Sequence, residues 1–344
     1  MKTRSNENNK NSAAKKIIPA VGMLALSATM LSTSTYAWFT MNKEVQMTGL
    51  SMTAAVGEGM EIALAEVDGT TITMNTTPAD DKSDSWGSAV AVGEYYDKIG
   101  LLNPASSVDG VNLYDATDAT NGGKKASNFK AIDLTNTDNI ATATARTTLE
   151  PSGTVKADEG SVGYCVDIPV HLRTNKKSSS GVKENGEIFC KINITPNSKS
   201  AEGSALDTEA DTLYKAIRVA FIPKTADTGS DTKIFAVDSK CYGGDKVAVS
   251  GTSAKTASAN LITDNTFVVN ASKFADGIGV DSGLNIPLAD GAGQYGHLDF
   301  TVRVWLEGES TSCYNDKSGQ SWNIDLAFSL GEFDTATTSE GVGA

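Results

Sequence analysis

His171 and His297 are the only two histidines in this 344-residue chain. Imidazole is the side chain whose ordinary pKa lies nearest neutrality, so a general base or metal ligand would be sought there first. Both fall in or near strand-like segments. His171 shares its strand face with Asp167 and Arg173, which reads as a solvent-facing polar face rather than a catalytic one. No Gly-x-Ser-x-Gly elbow and no His-Glu-x-x-His pair occurs, so the common serine-hydrolase and zinc-protease signatures are missing. One Gly-x-Gly-x-x-Gly occurs at residues 291–296, but it runs into a strand and not a helix. A dinucleotide site needs the helix, so this motif reads as a turn. Carboxylates cluster at Asp80-Asp81, Asp158 with Glu159, and Asp207 with Glu209. A glycosidase pair would use such groups, yet in so acidic a chain they read as solvated surface. Calcium is the ion that acidic loops of an exported protein would suit, but no Asp-x-Asp-x-Asp-Gly loop occurs and no metal residue is assigned. The chain therefore reads as a non-enzyme with no assigned cofactor.

Four cysteines remain: Cys165, Cys190, Cys241 and Cys313. None lies in a Cys-x-x-Cys pattern, which argues against zinc. Cys190 shares an apolar strand face, while Cys165 lies on the polar face with Asp167, which disfavours pairing them. Cys241 and Cys313 sit in loop-like contexts and are the better candidate disulfide, with free thiols as the alternative.

The start of the chain says where it works. Lys15-Lys16 lead into an apolar run from Ile17 to Leu31, and small residues then reach Ala37. Basic, apolar and small-residue regions in that order form a signal peptide, residues 1–37, cleaved between Ala37 and Trp38. The alternative is a retained membrane anchor, since no charge interrupts residues 17–42. Ser27, Thr29 and Ser32 to Thr35 dilute that run and favour cleavage. Export makes signal peptidase a transient partner and the destination extracellular, at the cell surface or in a matrix.

The formal charge is −13 overall, and the leader carries +4, so the mature chain lies near −17. That excludes a nucleic-acid partner, which needs clustered Lys and Arg.

The mature sequence is rich in Thr, Ser, Gly and Asp, with alternating apolar islands between turn signals, and this is an all-β pattern. Residues 300–306 and 322–330 carry their large apolar side chains on even positions. Residues 164–172 and 187–195 do the same, and the polar, Ser/Gly-rich stretch between them reads as a hairpin loop. Gly49, where the apolar parity switches, marks a bulge. Asp68-Gly69 marks a hairpin between residues 60–67 and 70–74. A helix is expected over 208–216, feeding a strand at 217–222, with further strands at 233–237 and 266–270. Residues 75–160 read as long loops or an irregular insertion with scattered strands. Trp86, Tyr95, Tyr96 and Trp305 could stack on sugars or be buried. The core is expected to be mainly aliphatic, because aromatics make up only 7% of the chain. The expected fold is an all-β, jelly-roll-like β-sandwich over 49–344, with one or two short helices.

The run Thr35-Tyr36-Ala37-Trp38-Phe39-Thr40-Met41-Asn42-Lys43-Glu44-Val45, with its small-residue cleavage site leading straight into aromatics, resembles Gram-positive proteins with a SipW-dependent type of signal peptide. These include the TasA and camelysin proteins of biofilm matrix fibres. Residues 302–309 with Cys313, followed by the 324–330 strand, look like a recurrent ending in that group. The resemblance implies a jelly roll and subunits linked when an extended N-terminal segment completes a neighbour's sheet. The donor here would be residues 38–48, with Trp38, Phe39, Met41, Val45 and Met47 as anchors; alternatively this segment pairs within its own subunit. The expected function is a secreted structural subunit of a surface or matrix filament. Its partners would be further copies of itself and minor or anchoring subunits. The alternative is a monomeric adhesin or glycan-binding β-sandwich. No sortase-type ending is seen, so retention is expected to come from assembly or partners.

Overall fold

A computed structural model describes residues 46–54, 59–79, 82–107, 109–116, 130–141, 143–150, 156–179, 183–196, 213–224, 229–236, 267–269, 280–290, 294–308, 310, 312–313 and 321–332. All of them belong to one compact unit, Lys43–Ala344. The strands in chain order are β1 (Gln46–Ala54), β2 (Met60–Ala63), β3 (Ala65–Asp68), β4 (Thr71–Met74), β5 (Ala89–Ala91), β6 (Tyr96–Leu102), β7 (Pro104–Ser106), β8 (Tyr114–Asp115), β9 (Lys130–Ala131) and β10 (Ala143–Ala145). They continue with β11 (Lys156–Gly163), β12 (Cys165–Thr174), β13 (Asn185–Pro196), β14 (Ile217–Pro223), β15 (Lys233–Ala236), β16 (Phe267–Val269), β17 (Val280–Pro287), β18 (Gly296–Glu307) and β19 (Ser321–Leu330). The helix α1 is a single turn, Val92–Tyr95.

Two sheets form an all-β sandwich. The first has five strands in the order β17-β13-β19-β1-β5. The second has nine; it runs β16-β15-β14-β18 and then divides. Along most of β18 the next strands are β12 and β2, while β7, β8 and β9 take over at its C-terminal end. Even-numbered apolar residues of β18 and β12 point inward, as do Ile188, Cys190, Ile192 and Ile194 of β13 and the even positions of β19. A period of two in sequence becomes one buried face per strand. Each such Ile, Leu, Val or Phe contributes roughly 1.5–3 kcal/mol by leaving water.

The core is mainly aliphatic, as its low aromatic content suggested, with a group of phenylalanine rings packed within it. Phe221, Phe235 and Phe300 come from the second sheet and Phe328 from the first, with neighbouring ring centroids 5.0–5.8 Å apart. The tilted and edge-on contacts suit the ring quadrupoles, so four rings staple the two layers together.

Strands β12 and β13, expected as a hairpin, lie in opposite sheets. Alternation cannot separate the two cases, because a hairpin and a crossing strand both bury one face. Cys165 and Cys190 accordingly lie in separate apolar clusters. The Asp68-Gly69 hairpin forms between β3 and β4, with Gly69 at φ 63°, where glycine carries no steric penalty. The ladder of β1 shifts register between Met47 and Gly49, at the bulge read from the parity switch. A 3₁₀ turn, Leu213–Ala216, leads into β14; the rest of the expected helix lies outside the described residues.

Within the 75–160 region β5 joins the first sheet, β6, β10 and β11 form a separate three-stranded sheet, and a few residues cover part of the outer face of the second sheet. Ala105, Leu113 and Ala116 meet Cys165, Ala220, Ile234, Ala236 and Trp305 in a second apolar cluster. That cover is why Cys165 of β12 and Trp305 of β18 are buried on the outer face.

Candidate functional site

The N-terminal strand is the first candidate. β1 lies inside the first sheet, parallel to β19 on one side and antiparallel to β5 on the other. Parallel neighbours need a long connection between them, and the chain from the end of β1 to the start of β19 supplies it. Of the expected donor segment, Gln46 and Met47 already pair with Ser321 and Trp322 of their own chain. Met47 thus belongs to this subunit's own sheet. Trp38, Phe39, Met41 and Val45, the cleavage site at Ala37, and Cys241 lie outside the described residues.

The side of the sandwich next to β1 is closed by one short stretch. Residues 87–91 pass across two strand edges in succession. Gly87 exchanges both backbone bonds with Ile62 of β2, at 2.8 and 3.0 Å. Ser88 accepts from the Ala54 amide at 2.8 Å, and β5 then pairs Ala89, Val90 and Ala91 with Thr53, Met52 and Ser51. β2 belongs to the second sheet and β1 to the first, so this strap caps one edge of each layer.

Behind the strap lies a lane of polar side chains on the outer face of β12 and β18. His171 Nδ1 is 2.7 Å from Asp299 Oδ1, and Thr77 donates to Asp299 Oδ2 at 2.7 Å. Burial pushes the Asp299 carboxyl up, but the His171 and Thr77 hydrogen bonds and the Lys224 charge outweigh it and hold the group below the usual carboxylate range. His171 was expected at the surface; it is fully buried, and its Nε2 has no hydrogen-bond partner.

Further along, Arg173 donates to Glu61 at 2.6 Å, and its guanidinium lies between the rings of Trp86 (4.6 Å) and Tyr295 (4.1 Å). His297 packs against both rings. In the other direction Arg303 forks onto Asp167 with two 2.7 Å bonds and donates to the Val111 carbonyl at 2.7 Å. A planar fork on a carboxylate is the strongest common form of ion pair.

These groups fasten the covering loops. No cluster of three or more His, Cys, Asp or Glu that could hold a metal occurs among the described residues. Gly296, last of the glycine motif, opens β18, so no helix follows it; a Cβ there would run into the Pro287 carbonyl. The aromatics proposed for sugar stacking are covered: Trp86, Tyr95, Tyr96 and Trp305 are 7%, 5%, 4% and 0% exposed. Cys165, Cys190 and Cys313 are buried free thiols, and burial pushes Cys165 and Cys313 up to about 12.

Sequence reasoning missed Asp299, Thr77, Glu61 and Tyr295. A signal existed for the first. Asp167 with Arg303 and His171 with Asp299 satisfy a single antiparallel register, so charge complementarity predicts that pairing.

No family model, curated protein or solved structure matches this chain.

Proposed function

We propose that this protein is a secreted structural subunit of a cell-surface or matrix filament, built when residues 38–45 of one copy add to the sheet of the next. The observation that carries this reading is the placement of β1: the strand that directly follows residues 38–45 is a parallel strand within the sheet, and its other neighbour is only three residues long. Residues 38–45 run straight into this paired strand, and a segment of that kind can pair with unpaired backbone groups at the sheet edge of another copy. Donation from copy to copy in one direction does not close, so it makes filaments. The jelly-roll-like description and export by a cleaved leader belong to the same reading.

The adhesin reading is weaker, because the rings offered for glycan stacking are buried, and Val111 is the large hydrophobic residue exposed among the described residues. Negative-stain electron microscopy separates the two. Protein beginning at Trp38 should form filaments, and protein lacking residues 38–45 should stay monodisperse. Monodisperse particles from both, with saturable polysaccharide binding, would favour the adhesin.

A further inference from the structure

We draw no further inference here: the strongest candidate, the side-chain cluster in which the loop carrying Thr77 meets Asp299 and the buried His171 on the outer face of β12 and β18, belongs to the site already described, where it fastens that loop to the sheet.

Discussion

His171 and Asp299 face each other directly across the β12–β18 ladder, and Asp299 takes a second hydrogen bond from Thr77 in the loop above them. The pair joins the sheet to its cover. Replacing Asp299 with Ala leaves a fully buried imidazole without its carboxylate, which costs about 1–3 kcal/mol. Urea unfolding of D299A against wild type at neutral pH measures it.

The same carboxylate sets an acid limit. Its folded pKa is depressed below the unfolded value, so its contribution is fully present above the unfolded pKa of about 3.9 and is lost as pH falls through the folded value. Wild-type stability should therefore decline below about pH 4, and D299A should show a shallower decline over the same range. Parallel slopes for the two proteins between pH 5 and pH 2.5 would remove Asp299 from the acid response.

Arg173 lies between two rings with Glu61 at its Nε. Lysine keeps the charge but loses the planar stack on the two rings. In a double-mutant cycle, R173K and W86F should couple by about 0.5–2 kcal/mol. Additive effects would mean that the ring contact contributes nothing to holding the loop.

Phe328 is the first sheet's member of the four-ring cluster. F328A should cost about 3–5 kcal/mol, because rigid neighbours on both layers cannot collapse into the space. Thermal unfolding reads it directly, and a loss under 1 kcal/mol would contradict the central role given to those rings.

Much of the fold is legible in the residue pattern. Even-position apolar residues in β12, β13, β18 and β19 mark their buried faces, Gly49 marks the β1 bulge, and Asp68-Gly69 marks the β3–β4 turn. Alternation is a local property, and it does not say which strands share a sheet; β12 and β13 show this. The site was less legible for a related reason. His171 and Trp305 sit on strand faces that look polar or mixed, and their burial is decided by residues 75–116, far away in sequence. Even so, the Asp167–Arg303 and His171–Asp299 pairs on β12 and β18 carried register information that hydrophobic alternation alone left unused.

The central claim is that residues 38–45 act on a neighbouring copy. Lys43 lies in that segment and provides a crosslinking handle. Filaments grown from a mixture of ¹⁴N- and ¹⁵N-labelled protein beginning at Trp38, crosslinked at lysines and analysed by mass spectrometry, read the claim directly. Mixed-isotope crosslinks from Lys43 should appear, and only when filaments form. Crosslinks from Lys43 confined to same-isotope pairs would place the segment in its own subunit and contradict assembly by strand donation.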